Sequence, residues 1–258
     1  MSTRSLGAAL AIVIAATPAR ADDEPWYRSK RHVANVAITL GAATLYLASE
    51  TFLELDLKPT DCRWCDPTAL DVAVRDRLLW DDPARAGTLS NVTGFVVVPA
   101  LSLGLVAVGS YEHTGKVRIV EDLVPVLETV AVSQLFVQGI KYAAARARPF
   151  VHYVGARDED DNVSFLSGHS ALAFAVVTSA GVVAHRRGYA SEPYIWAIGM
   201  PLAAATAYLR IGADKHYFTD VTAGAALGVA AGLIIPKLAM LPVDVVPTQN
   251  GVTLLGMW

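Results

Sequence analysis

Residues 141–149 read KYAAARARP, residues 166–169 read LSGH, and residues 210–220 read RIGADKHYFTD. Almost every charged or hydrogen-bonding group set in otherwise apolar sequence falls in these three pieces, and each sits where a hydrophobic run begins or ends. Polar groups gathered at the ends of apolar helices point to a site at one mouth of a helical bundle. The apolar runs are Val33–Ser49, Val92–Gly109, Leu123–Ile140, Ala171–Ala184, Tyr194–Leu209 and Val221–Ile235. Several approach the ~20 residues that a spanning helix needs, and their many Gly, Ala and Ser residues allow close packing in lipid. The expected fold is therefore all-α: a bundle of about six transmembrane helices with its active site at one mouth. A soluble bundle of unusually buried helices is the alternative.

The polar groups define what such a mouth can bind. Lys141, Arg148 and Arg210 supply three cations with no matching buried acid, which suits a dianion such as a phosphoryl group. Arginine offers a planar fork of donors to phosphate oxygens, while lysine acts as a point charge. Ser167, Gly168 and His169 precede an apolar run, so their backbone N–H groups face outward from a helix N-terminus and form an anion site. Gly168 lets the backbone approach the ligand closely. His216 and Asp220 lie four apart and on a helix would share one face, where the carboxylate can fix the imidazole tautomer. A histidine held this way serves as nucleophile or base, and a second one opposite, His169, serves as acid. Singly, each piece has a plain structural explanation. Basic residues flank membrane helices for topological reasons, and His216 with Asp220 makes a satisfied polar pair. Three pieces in order, each at the end of an apolar run, favour a site.

The order Lys, six residues, Arg-Pro; then Ser-Gly-His; then Arg, five residues, His, three residues, Asp resembles the type 2 phosphatidic acid phosphatase and vanadium haloperoxidase superfamily. All seven polar family positions are filled, by Lys141, Arg148, Ser167, His169, Arg210, His216 and Asp220. The resemblance implies that Lys141, Arg148, Ser167, Gly168 and Arg210 hold the phosphate. It implies that His216 attacks phosphorus, Asp220 orients it and His169 protonates the leaving oxygen, with no metal or other cofactor. Two positions depart from the family pattern. Leu166 stands where the family usually has Pro, which loosens a turn, and Leu209 where it usually has Ser, which removes one phosphate hydroxyl. The expected activity is a metal-independent phosphatase acting on a lipid or lipid-linked phosphate through a phosphohistidine. Phosphatidate, phosphatidylglycerophosphate, polyprenyl pyrophosphate and lipid A phosphates are all open as substrates. A vanadate-dependent haloperoxidase or a soluble periplasmic acid phosphatase would use the same residues, and a non-catalytic membrane scaffold would need only the helices.

Composition bounds the rest. With 53% hydrophobic and 17% charged residues in 258, the chain is one domain more apolar than a soluble protein needs. A net charge of −3 provides no basic field for nucleic acid. Residues 1–21 read as a secretory signal: Arg4, a short apolar core from Leu6 to Ala16, then Ala19-Arg20-Ala21 as a small-x-small cleavage site. The helical domain would then occupy 22–258. Charge sets the orientation: Arg28, Lys30 and Arg31, Lys116 with Arg118, and Arg186 with Arg187 mark the cytoplasmic side. The connection from Glu50 to Ser90, with nine acidic and five basic residues, belongs outside. This places the protein in the inner membrane of a bacterial-type envelope with its site facing the periplasm. A cleaved signal conflicts with that orientation if the first run also crosses.

Cys62 and Cys65 are the only cysteines, with no histidine nearby in sequence and no α/β pattern around them. A structural disulfide is expected in an exported location, rather than zinc or redox chemistry. Glu128, inside the third run, reads either as an intramembrane functional acid or as a helix–helix hydrogen-bond partner. Asp158 to Asp161 reads as a solvated acidic loop, or as a lid over the substrate. Val243 to Trp258, with Asn250-Gly251 at its centre, reads as a short β-hairpin.

Overall fold

In a computed structural model of the chain, the structure describes residues 30–53, 57–114, 118–156, 160–241, 243–248 and 251–256. The signal reading of 1–21 lies outside these residues. Among them six helices are long and apolar enough to cross a membrane: Lys30–Thr51, Pro83–His113, Ile119–Ala144, Gly168–Arg187, Glu192–Gly212 and Phe218–Ala239. Their outer faces carry Leu40, Phe136, Ile234 and Leu238, each more than half exposed. A row of such side chains around a bundle requires lipid, not water, as its solvent. The protein is an integral membrane protein of all-α architecture.

We number the elements α1 (Lys30–Thr51), α2 (Ala69–Leu78), α3 (Pro83–Val92), α4 (Val98–Thr114), α5 (Ile119–Ala144), α6 (Pro149–Val154), α7 (Gly168–Arg187), α8 (Met200–Gly212) and α9 (Phe218–Ala239). A π-helical turn, Thr93–Val97, joins α3 to α4, and another, Ile195–Gly199, leads into α8. Strands β1 (Val243–Thr248) and β2 (Gly251–Gly256) pair antiparallel with Thr248 opposite Gly251, as expected of the tail. The six apolar runs thus become six crossings. Each is longer than its apolar run because polar residues extend the helix ends.

Local signals place those ends. Asp82 caps α3 by accepting the Arg85 N–H at 3.0 Å, and Pro83 opens the helix with its preset φ. The last turn of α5 stops at Ala145, which adopts the left-handed conformation (φ 45°) unusual for a residue with a side chain. That reversal directs residues 146–148 across the bundle mouth, where Arg148 and Pro149 begin α6. At the far end of α7, Gly188 (φ 68°) donates to the Ala184 and His185 carbonyls and closes the helix.

The helices α7 and α9 form the spine. Gly224, Gly228 and Gly232 recur every fourth residue on α9 and face the α7 backbone. A Cβ on Gly224 would stand 2.5 Å from the Ser167 carbonyl oxygen, and one on Gly228 would stand 2.4 Å from that of Ala171. This is the small-residue contact that lets lipid-embedded backbones touch. It locks the start of α7 against the start of α9, and the Ser167 N–H donates to the Asp220 carbonyl at 3.1 Å.

Helix ends sort into two faces. Glu50 on α1, Lys141 on α5, Gly168 on α7, Arg210 on α8 and His216 before α9 share one cavity, and so lie at one end of the bundle. At the other end Asn35 in α1 donates to the Ala239 carbonyl of α9 at 3.0 Å, and Arg187 pairs with Glu121 and Asp122. The start of α1 is therefore at the end opposite the mouth.

Candidate active site

The three motifs meet at this mouth around a cavity of about 280 Å³. Lys141, Arg148, Gly168, His169, Arg210 and His216 all line it, together with Asn91, Phe95, Gln134, Asp160 and Lys215. A larger apolar groove of about 510 Å³ on the α8–α9 side is lined by Phe174, Tyr208 and Phe218 among others and by none of these groups.

Lys141 reaches the cavity from the last turn of α5, where Gly168 leaves room for it: a Cβ on Gly168 would lie 3.7 Å from its Nζ. Arg148 is buried and aimed by backbone groups, its Nε donating to the Asp160 carbonyl at 2.7 Å and its Nη1 to the Lys215 carbonyl at 3.3 Å. Arg210, in the last turn of α8, donates from Nη1 to Ser90 Oγ at 3.1 Å. Its Nε has no partner among the described residues. Three cations that share one cavity repel each other, and an anion bound between them would relieve that repulsion.

His216 is buried in the turn before α9. Its Nδ1 is 2.8 Å from the Ser164 carbonyl, which can only accept; Nδ1 therefore carries the proton and Nε2 keeps its lone pair. Burial, and then the charges of Arg148, Arg210 and Lys141, hold its pKa well below the ordinary histidine range. The Asp220 carboxylate lies behind it. Oδ2 accepts from Ser164 Oγ at 2.6 Å and from the Tyr217 N–H at 2.8 Å, while Oδ1 accepts from Arg146. Oδ2 is 3.8 Å from His216 Nδ1. His169 opens α7 opposite, its Nε2 2.8 Å from Asn91 Oδ1 and its ring 4.4 Å from that of Phe95.

Several sequence expectations need correction. His216 and Asp220 do not share a helical face, because His216 precedes the helix; the Ser164 carbonyl, not the carboxylate, holds Nδ1. Ser167 does not line the cavity: it is fully buried and its Oγ caps α7, accepting from the Ser170 N–H at 3.4 Å. An acid nonetheless stands beside the cations, half-exposed rather than buried. Asp160 lies at the rim, 3.7 Å from Arg148 Nη2 and 2.9 Å from Lys58 Nζ. Burial alone would raise the Asp160 carboxyl, but Arg148 and Lys58 outweigh it and hold the pKa below the usual range. The acidic loop therefore reaches the site through Asp160; Asp158 and Glu159 lie outside the described residues. Leu166 and Leu209, the two departures from the family pattern, pack in small apolar clusters, Leu166 with Val137 and Ala171, Leu209 with Ala86 and Ala213.

Cys62 and Cys65 are joined in a disulfide, as expected. Glu128 is buried in α5 and its Oε2 has no partner among the described residues. Sequence reasoning missed Asn91, Ser164 and the whole environment of Arg146. Asn91 alone left a trace, as the polar residue just before the second apolar run.

Residues 122–241, which hold all three motifs, match the model of the PAP2 superfamily. Two solved structures resemble it. One is a transmembrane PAP2-type phosphatidylglycerolphosphate phosphatase from Bacillus subtilis, with 17% identity and a TM-score of 0.49 over 79% of this chain and 94% of that one. The other is Aquifex aeolicus LpxE, with 22% identity and a TM-score of 0.47 over 66% of this chain and 96% of that one. No curated protein matches the chain. Among the described residues no group of three or more His, Cys, Asp or Glu side chains is placed to hold a metal ion.

Proposed function

We propose that this protein is a PAP2-type phosphatase that hydrolyses the phosphate monoester or pyrophosphate of a lipid or lipid-linked substrate, without a metal, through a phosphohistidine. The observation that carries this reading is the convergence of Lys141, Arg148 and Arg210 with an Nδ1-protonated His216 in one cavity at the mouth of membrane-spanning helices. A headgroup enters such a mouth while its chain stays in the bilayer.

The phosphoryl oxygens lie among the three cations and the free N–H groups at the start of α7. His216 Nε2 forms a bond to phosphorus as the bond to the leaving oxygen breaks, and His169 gives that oxygen its proton. Nδ1–H, bonded to the Ser164 carbonyl with the Asp220 charge behind it, stabilises the positive imidazole ring that results. Water then attacks the phosphohistidine with His169 as base, releasing inorganic phosphate and restoring His216. In both steps the cations stabilise charge on the equatorial oxygens, the main source of rate in phosphoryl transfer. Ser167 acts by capping α7 rather than by touching phosphate.

Loop charge favours a site facing the periplasm, since Lys30, Arg118, Arg186 and Arg187 lie at the opposite end. With α1 starting at that opposite end, an outward site and a leader cleaved after residue 21 exclude each other. The loop charges carry the orientation.

The test is release of inorganic phosphate by purified protein from phosphatidate, phosphatidylglycerophosphate, a polyprenyl pyrophosphate and a lipid A phosphate in mixed micelles, with EDTA present. Turnover of at least one, blocked by vanadate as a mimic of pentavalent phosphorus, is expected. Activity abolished by EDTA and restored by magnesium contradicts the mechanism, and turnover of none contradicts the function.

A further inference from the structure

Arg146 is the largest fully buried side chain among the described residues, at 1% exposure, yet it does not line the cavity. Its Nη1 donates to Asp220 Oδ1 and, at 2.7 Å, to Thr219 Oγ1; its Nη2 donates to Asp71 Oδ2 at 2.7 Å. The Trp64 and Tyr217 rings lie over the guanidinium with centroids 3.8 and 4.5 Å from it. One cation thus bridges two fully buried carboxylates from opposite ends of the sequence.

Asp71, on α2 outside the membrane, is equally committed. Its Oδ1 accepts from the Thr219 N–H at 2.9 Å, in the first turn of α9. Burial alone would raise the Asp71 carboxyl, but the Thr219 N–H, then Arg146, Thr68 and the Thr219 hydroxyl outweigh it and keep it ionised. Trp64 belongs to the disulfide-closed turn 62–65, whose backbone pairs with residues 145–147 in an isolated bridge: Arg63 N–H to the Ala145 carbonyl at 2.9 Å, and Ala147 N–H to the Trp64 carbonyl at 3.1 Å. The first external connection is thereby fastened to the residue behind Asp220.

We propose that Arg146, gripped by Asp71 and sandwiched by Trp64 and Tyr217, is a positioning residue of the reaction: it fixes the Asp220 carboxylate, and through Ser164 the tautomer and aim of His216. The chain of contacts is continuous. Asp220 Oδ2 accepts from Ser164 Oγ at 2.6 Å, and the Ser164 carbonyl accepts from His216 Nδ1 at 2.8 Å. Without Arg146, Asp220 is a buried carboxylate short of a partner, and it turns toward other donors, Nδ1 among them. Ser164 then loses its anchor and the ring its unique orientation. Lysine keeps the charge but cannot span both carboxylates with a fork.

This rests on the phosphatase reading for its kinetic arm only. The kinetic experiment is a rapid-mixing burst with p-nitrophenyl phosphate, in which the amplitude counts competent sites and the rate constant reports phosphoryl transfer within them. A merely structural role lowers the amplitude and leaves the rate constant. Arg146→Met is expected to slow the burst about 10²-fold, with vanadate inhibition constants unchanged, and Arg146→Lys to recover part of the rate. In an Asp220→Asn background Arg146→Met should slow it no further, because Arg146 acts through that carboxylate. A parallel arm needs no turnover. In ¹⁵N-histidine spectra His216, assigned by loss in His216→Ala, should show a single Nδ1–H tautomer that becomes mixed in Arg146→Met. If Arg146→Met does not fold, Asp71→Asn removes one jaw of the grip and should slow the burst about tenfold with the same tautomer mixing. An unchanged rate constant and an unchanged spectrum in the folded variants overturn the proposal, as do fully additive losses with Asp220→Asn. Tautomer mixing in a protein that hydrolyses no phosphate overturns the proposed function and leaves the positioning of His216 standing.

Discussion

Gly224→Ala offers a test of how tightly the two histidines are coupled to helix packing. Ordinary van der Waals contact begins at 3.4 Å, and the added carbon would stand 2.5 Å from the Ser167 carbonyl oxygen, so α9 must retreat from α7 by about 0.9 Å at that level. The obstacle is backbone, which has no rotamer to escape into. Overpacking of this kind costs ~1–3 kcal/mol, partly offset by the ~1 kcal/mol that Ala gains over Gly in a helix, leaving a net loss of ~0–2 kcal/mol. The functional effect should be larger than the stability effect. Ser167 N–H bonds the Asp220 carbonyl at 3.1 Å, two residues from His169 on one side and four from His216 on the other. A shift approaching 1 Å between nucleophile and acid can reduce rate ~10²-fold. Gly139→Ala is the control, since nothing lies within 4 Å of its Cβ position; it should keep full activity and melt no lower than the wild type. The assay is initial rate on a phosphatidate micelle beside thermal unfolding in the same detergent. Equal activity of the two variants would refute the claim that the α7–α9 contact sets the distance across the site.

Other outcomes follow from the same geometry. His216 stays unprotonated in the folded protein below its ordinary pKa of ~6.5, so kcat/KM for phosphoenzyme formation should show no acid limb from it there; a titration of the His216 signal near pH ~6.5 in ¹⁵N-histidine spectra contradicts the burial argument. The same shift has a stability sign. The unfolded chain takes up this proton as pH falls through ~6.5 while the folded one does not, so stability should rise with pH up to ~6.5 and contribute nothing further above it. His169→Ala should lose less rate on p-nitrophenyl phosphate than on phosphatidate, because acid catalysis contributes ~10²–10⁴-fold when the leaving group is poor. Equal losses on both would remove His169 as the acid. For orientation, Thr60→Cys in a Cys62→Ser/Cys65→Ser background should react with a membrane-impermeant thiol reagent added from the periplasm, and Arg186→Cys should not. The reverse pattern would place the site in the cytoplasm and restore the cleaved signal.

The six crossings and the three-part site were legible because both are written locally. Apolar runs of spanning length show at any register, and Lys141, Arg148, His169, Arg210, His216 and Asp220 each sit at a run's end. The Cys62–Cys65 link and the pairing of 243–248 with 251–256 were legible for the same reason, being contacts of short sequence separation. What failed were inferences about which side chains touch around the site. The four-residue spacing of His216 and Asp220 promised a helical pair, but the helix begins two residues after His216. Asp160 looked like one acid in a solvated run, and only the fold brings Arg148 and Lys58 to it. Arg146 looked like one more basic residue beside a membrane helix. Its partners Asp71 and Asp220 lie 75 and 74 residues away, so no local pattern could reveal that it is buried between them. The glycines of α9 were visible as small residues, while their close contact with α7 depends on the packing.

The most direct test of the account is the fate of the phosphoryl group itself. Protein mixed briefly with ³²P-labelled substrate and quenched in alkali should carry label that is stable to base, labile to acid and located on His216. The label should be absent from His216→Ala, and should accumulate in His169→Ala with p-nitrophenyl phosphate because the base for the second step is gone. Label that persists in His216→Ala, or that sits on an acid-stable residue, would contradict the assignment of His216 as the nucleophile.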